Sequence, residues 1–198
     1  MLPIVPQSLL NVKPIDWAGL PRRFMNPGEL EVLIALLRPL QPRHVIEFGV
    51  NIGRTARAIL ANVPGIELYT GIDVPPDYVP AKRVQRQEVP RRPGELALAD
   101  TRFSLVIRPR GSHDLMPKDL APCDAVFIDG DHSRAGVLHD TELARALLRP
   151  GGMIVWHDYH DQGTVDVKQV LDELHARGEE IARVDRTWLA FARMGARN

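Results

Sequence analysis

Only one cysteine, Cys123, occurs in the 198 residues. That excludes an intramolecular disulfide and a Cys-rich zinc site, and leaves a small buried hydrophobe as its role. Apolar runs approaching the roughly 20 residues needed to span a bilayer are also missing. The opening stretch M-L-P-I-V-P-Q-S-L-L lacks the basic start of a secretory signal and is broken by two prolines. The expectation is a cytoplasmic protein with no membrane role. Excess charge is absent too, since 25 Lys plus Arg balance 25 Asp plus Glu, so no global field draws nucleic acid or an anionic surface. One local basic cluster exists, Lys82, Arg83, Arg86, Arg91 and Arg92. No aromatics interleave with it as stacking on single strands would need, and it reads as a solvated face.

What is present suits one domain with a substantial core. It spans residues 26–198, after an irregular extension over residues 1–25. That extension is proline-studded yet carries Ile4, Val5, Leu9, Leu10, Ile15, Trp17 and Leu20, too many apolar side chains for a free tail. Asn26-Pro27-Gly28-Glu29 reads as a helix start with Asn26 as N-cap and Glu29 at the third position, followed by an apolar stripe from Leu30 to Leu37.

The chain is organised around Arg43 to Thr55, R-H-V-I-E-F-G-V-N-I-G-R-T. His44 to Phe48 is a short β-prone run, Gly49 and Gly53 bracket a tight loop, and helical spacing follows. Such a strand-loop-helix brings a nucleotide-like ligand against bare backbone. A second strand near Glu67 to Ile72 ends at Asp73, about 20 residues on, where doubly wound folds place a ribose-hydroxyl acceptor. The pattern is E-x-G-x-x-x-G, not G-x-G-x-x-G, so the pyrophosphate spacing of dinucleotide binders is absent.

Further strands are expected at Ser104 to Ile107, Ala125 to Ile128 and Met153 to Trp156, then a closing pair, Glu180 to Val184 and Thr187 to Arg193. A helical turn is expected near Gly94 to Asp100, and helices after Gly111-Ser112-His113-Asp114, after Ser133 and after Thr164. The fold class is therefore α/β. It should be a Rossmann-like, doubly wound, seven-stranded mixed sheet with the last strand antiparallel and helices on both faces. Glu47, Asp73, Asp129, His157 and Asp158 all lie at or near carboxyl ends of strands, where such sheets collect ligands.

The glycine loop and the runs C-D-A-V-F-I-D-G-D-H-S (Cys123 to Ser133) and L-L-R-P-G-G-M-I-V-W-H-D-Y (Leu147 to Tyr159) resemble class I S-adenosylmethionine-dependent methyltransferases. The resemblance is to the small-molecule O-methyltransferase group with I-D-G-D-H and H-D motifs. It implies S-adenosylmethionine as methyl donor and a small hydroxylated acceptor. The donor would meet Glu47, Gly49, Asn51, Gly53 and Asp73, with Ser112 or His113 at the adenine and Asp129 nearby. In the catechol and caffeoyl-coenzyme A enzymes of that group, strand-end carboxylates hold a divalent metal. Matched residue by residue, Asp129, His157 and Asp158 take those positions, and His132 takes that of the base, with Asp129 beside it. The imidazole of His157 moves the preference from magnesium toward manganese or zinc.

Other readings of the same residues stay open. Ser112 suits a helix N-cap, D-G-D-H suits a loop in which Asp131 bonds its own backbone, and His157 suits a core imidazole. A metal-dependent oxygenase or hydrolase on the same fold, and a non-catalytic nucleoside-binding module, use the same pattern. The apolar extension leaves room for a homodimer.

Overall fold

The computed structural model describes residues 1–17, 19–20, 25–79, 89–163 and 165–195. One sheet contains β1 (Ile4–Val5), β2 (His44–Phe48), β3 (Leu68–Asp73), β4 (Phe103–Ile107), β5 (Cys123–Ile128), β6 (Leu148–Trp156), β7 (Ala182–Val184) and β8 (Ala190–Arg193). Their spatial order is β1-β7-β8-β6-β5-β2-β3-β4. Strands β2 to β6 pair in parallel, and β8 runs antiparallel to both β6 and β7. The helices are α1 (Glu29–Leu37), α2 (Arg54–Asn62), α3 (Arg134–Leu147) and α4 (Val167–Ala176). This is the expected Rossmann-like mixed sheet with an antiparallel last strand.

The expected strand count of seven is corrected to eight. The extra strand, β1, comes from the N-terminal extension and runs parallel to β7. Two residues between Pro3 and Pro6 carry no readable alternation. The Pro3 and Val5 carbonyls nevertheless accept from Arg183 and Asp185 at 2.9 and 3.0 Å, a role that needs no N–H from proline. Of the basic cluster, Lys82, Arg83 and Arg86 lie outside the described residues, whereas Arg91 and Arg92 are exposed.

Successive side chains of the central strands enter opposite cores, as the two-residue period of a strand requires. Val45, Ala125, Phe127, Met153 and Val155 pack with α1 and α2. Their neighbours Ile46, Phe48, Val126, Ile128, Ile154 and Trp156 pack with α3 and α4. Both faces are therefore covered, which is why these strands read as nearly unbroken apolar runs.

Helix α1 starts later than the capping pattern suggests. Gly28 takes the N-cap position in a left-handed conformation (φ 88°), so helical geometry begins at Glu29. Asn26 still donates its backbone N–H to Glu29 Oε2 at 2.8 Å and its side-chain amide to Oε1 at 3.0 Å. Residues 94–100 form hydrogen-bonded turns and no helix, and Gly111–Asp114 is a single 3-10 turn. Ser133 caps α3 by accepting from the Gly136 N–H at 3.2 Å.

The turn after β2 fixes how close two strand ends come. Gly49 has φ +84°, and a Cβ there would stand 2.1 Å from the Asp129 carbonyl oxygen, while the Asp129 N–H donates to the Phe48 carbonyl at 2.8 Å. At Gly53, a Cβ would meet the Gly94 carbonyl at 2.9 Å. These glycines admit neighbouring backbone of the protein itself.

This makes a test. Gly49→Ala combines a left-handed alanine with a backbone collision, so it should cost roughly 2 kcal/mol or more. Gly65→Ala, at φ +88° but with open space around the new methyl, should cost only the backbone part, about 1 kcal/mol. Urea midpoints of the two variants check the order.

Candidate active site

At the end of β3, Asp73 is buried and pinned. Its Oδ2 accepts the Asn51 N–H at 2.6 Å and its Oδ1 the Val74 N–H at 2.7 Å. Asn51 sits in the left-handed region at φ 48° between the two glycines, and its Oδ1 accepts the Ile52 N–H. Burial pushes the Asp73 carboxyl up to about 6, with the charge of Asp129 adding to the rise and the two amides opposing it. Each of its oxygens keeps a lone pair for a further donor.

Glu47 is engaged within the sheet. Its carboxyl, 1% exposed, accepts the Tyr69 hydroxyl at 2.9 Å, and burial holds its pKa well above the usual range, with Asp129 and Asp73 adding to the rise. Strand parity turns Glu47 into the α1–α2 side of the sheet, where it serves as a buried partner beneath the loop. Ser112 and His113 lie in the 3-10 turn after β4. Ser112 is buried, and its carbonyl is 3.0 Å from His139 Nε2. His113 stacks on His139 with ring centroids 4.6 Å apart and reaches Asp131 Oδ2 at 3.3 Å. Asp131 also accepts from the Ser133 N–H at 2.9 Å and hydroxyl at 3.0 Å, the self-bonded turn open to a D-G-D-H loop.

Asp129, His132, His157 and Asp158 come together. His132 Nε2 lies 2.7 Å from Asp158 Oδ2 and 3.5 Å from Asp129 Oδ1. On the other side His157 Nδ1 lies 3.3 Å from Asp129 Oδ1 and 3.4 Å from Asp158 Oδ2. Nitrogen and oxygen thus alternate around a four-cornered ring. His132 Nε2 and His157 Nδ1 are buried and have no assigned hydrogen-bond partner, although each lies within ion-pair distance of both carboxylates. Imidazole nitrogens and carboxylate oxygens gathered this closely are the donor types that divalent transition metals take. Among the described residues one group can hold an ion, Asp129, His132 and Asp158, whose ligand atoms lie within 4.8 Å of one another.

Burial alone would lower both imidazoles. The carboxylates reverse that, raising His132 to about 10 and His157 well above its usual value. Burial raises Asp158, but the two imidazoles outweigh it and hold that carboxyl far below its usual range. Asp158 is reached by a left-handed turn at φ 58°, a conformation a non-glycine residue adopts only when its surroundings fix it. Here the Tyr159 N–H donates to the Trp188 carbonyl at 2.9 Å.

Two further residues complete the arrangement. Glu29, fully buried, places Oε2 3.2 Å from His157 Nε2. His160 places Nε2 3.2 Å from Asp158 Oδ1, accepts the Gln162 N–H at Nδ1, and lies against Trp188 with ring centroids 3.9 Å apart. In sequence Glu29 looked like a capping residue, and nothing nearby tied it to His157. His160 was readable only as part of a polar loop. That loop and α4 border a groove of about 490 Å³ lined by His160, Asp161, Lys168 and Asp172 among others.

The family described as a methyltransferase domain matches residues 46–159, which hold the last three residues of β2, all of β3 to β6 and the whole Asp129–Asp158 cluster. No curated protein matches the chain. Among solved structures, an O-methyltransferase from Streptomyces achromogenes in complex with S-adenosylmethionine is 18% identical, with 95% of this chain and 94% of that one covered at a TM-score of 0.60. The S-adenosylhomocysteine-bound methyltransferase of Podospora anserina is 13% identical over 97% of this chain and 86% of that one, at 0.61. An O-methyltransferase from Bacillus cereus in complex with S-adenosylhomocysteine is 16% identical over 88% and 83%, at 0.54. At these identities the likeness is one of fold. With more than half of the chain inside the matched segment, the protein belongs to the methyltransferase domain family.

Proposed function

We propose that this chain moves a methyl group from S-adenosylmethionine to a hydroxyl oxygen of a small molecule, with a divalent cation held by Asp129, His132 and Asp158. One observation carries the reading. A pinned strand-end carboxylate suited to a ribose, Asp73, and a convergent oxygen–nitrogen–oxygen cluster share one edge of one sheet, near enough for Asp129 to raise the Asp73 pKa. When bound, the donor brings an already activated methyl group and the cation would lower the pKa of the acceptor hydroxyl.

The chain's own work is alignment and the handling of charge. Asp73 accepts the ribose hydroxyls with the lone pairs left by the Asn51 and Val74 amides. Asn51 and the loop between Gly49 and Gly53 border the amino-acid part of the donor, and Ser112 and His113 border the adenine. Asp129 stands between the donor side and the acceptor side. His132, which the resemblance marks as a base, is assigned here to the ligand set, because its Nε2 faces both carboxylates. A mixed imidazole and carboxylate set favours manganese or zinc over magnesium.

Donor binding should follow the ionisation of Asp73. Affinity for S-adenosylhomocysteine should rise with pH through about 6, the value to which burial raises this carboxyl, and Asp73→Asn should flatten the profile. The ligand-free protein should show the opposite trend. A carboxyl raised on folding contributes stability that is fully present below about 4 and is lost as pH rises through about 6. Isothermal titration and melting curves between pH 4.5 and 7.5 check both signs. At 100 times the dissociation constant the donor product should add about 2.7 kcal/mol of stability, and NAD none.

Chelation separates the roles of the cluster. Turnover should fall after exhaustive EDTA treatment and return with manganese or zinc. Asp129→Ala, Asp158→Ala and His132→Ala should each lose metal uptake together with activity. Metal content preserved in His132→Ala with turnover lowered by about 10² to 10⁴ would return His132 to the role of general base. Full activity in the stripped enzyme would end the cation reading. A protein that needed the cation but bound no donor would be an oxygenase or hydrolase.

A further inference from the structure

Glu29 is a fully buried carboxylate beside the cluster and lies outside the matched segment of residues 46–159. It belongs to α1, more than a hundred residues away in sequence from the histidine it meets. Four groups converge on it. Its Oε1 accepts the Trp188 N–H and the Asn26 side-chain amide, and its Oε2 accepts the Asn26 N–H and lies 3.2 Å from His157 Nε2. A carboxylate with no solvent contact survives only when its oxygens are this fully engaged. Although burial acts to raise it, the His157 contact and these donors keep the Glu29 carboxyl below its usual range.

The histidine it holds is enclosed by aromatic rings. His157 is 3% exposed, with the Phe127 ring on one side and Trp188 on another, each with a ring centroid 6.3 Å away. Donating Nε2–H to Glu29 leaves Nδ1 facing the pair Asp129 Oδ1 and Asp158 Oδ2, where it finds no hydrogen bond. A carboxylate behind a metal-facing imidazole fixes its ring, its tautomer and its basicity.

We propose that Glu29 is a positioning residue that holds His157 by Nε2, so that Nδ1 becomes a further donor to the cation of the Asp129, His132 and Asp158 group. The inference rests on the cation reading given above. It also assigns a task to α1. The same carboxylate grips the Trp188 N–H, so α1, the end of β6 and the turn leading into β8 are locked at one point beside the site. A helix outside the matched family segment thereby sets the fourth corner of the cluster.

The test uses the full chain with Glu29→Gln, which keeps size and acceptor capacity at one oxygen but removes the charge. Cobalt(II) and manganese(II) affinities should fall about 10- to 100-fold, the effect expected of a lost partner behind a metal ligand. The visible absorption of the cobalt-loaded protein should shift as well, while S-adenosylhomocysteine affinity stays within about twofold. A folded Glu29→Gln protein with wild-type metal affinity and an unchanged cobalt spectrum would overturn the proposal. Should that variant fail to fold, Glu29→Asp keeps the charge, withdraws it by one methylene, and carries the same expectations.

A second readout keeps the two readings distinguishable. In the metal-free protein the His157 Nε2 proton should give a downfield, exchange-protected resonance that disappears in Glu29→Gln. Wild-type protein that takes up neither metal but shows this resonance would sink the cation reading and the donor role of Nδ1, and leave Glu29 as the holder of His157. Absence of the resonance from the wild type would overturn the Glu29 contact itself.

Discussion

Mutual neutralisation of acids and imidazoles at the ends of β5 and β6 is the condition on which the site depends. Asp129, Asp158 and Glu29 carry up to three negative charges into space that is half-buried or fully buried. An isolated ion taken out of water costs several kcal/mol, and a pair broken by removing one partner is worse than no pair at all. His132 and His157 are set between these acids, which gives the alternating ring its form. The same arrangement explains why the cluster is open to a cation. Positive charge is needed there, and whether protons or a metal supply it is a matter of competition for the same lone pairs.

The rest of the fold serves that placement. Parallel β5 and β6 run side by side with Ile128 opposite Trp156, so the residues just past each strand are brought level. Period-two alternation assigns Phe127 and Val155 to the α1–α2 side and Ile128 and Trp156 to the α3–α4 side. One more step along β6 turns His157 back toward α1, which is why its partner is a residue of that helix. The tight packing of Gly49 on Asp129 draws the end of β2 to the end of β5, so the loop that borders Asp73 and the loop that carries the cluster share a wall. The two loops are joined by backbone contact between Gly49 and Asp129.

Legibility followed the range of the interaction. The strand-loop-helix from His44, the Asp73 strand end, the helix after Ser133 and the apolar run of β5 all rest on patterns among residues near in sequence, and all were readable. The gathering of Asp129, Asp158, His132 and His157 was readable in part, because three of these residues stand at strand ends where ligands collect. The glycines were read correctly as turn formers, but the backbone that presses on each missing Cβ was not foreseen, since no local pattern says which segment it will be. β1 escaped notice because its two residues are specified by β7, not by themselves. Glu47 accepts from Tyr69 inside the sheet, a pairing 22 positions apart that no local pattern announced.

By itself the sequence determined the α/β class, the doubly wound sheet, its antiparallel end and the set of chemistry-bearing residues at the strand ends. Periodicity and strand-terminal position are properties of the chain, and they survive whatever the strands later pack against. Tertiary structure alone decided which nitrogen of which histidine faces which carboxylate. It also decided that Glu29, a capping residue by its local pattern, is a fully buried partner of His157 across 128 positions of chain. The reason is that burial creates the demand. In water Glu29 and His157 need no partner, and only when α1 closes over the end of β6 does each become the least costly solution for the other's buried polar atoms.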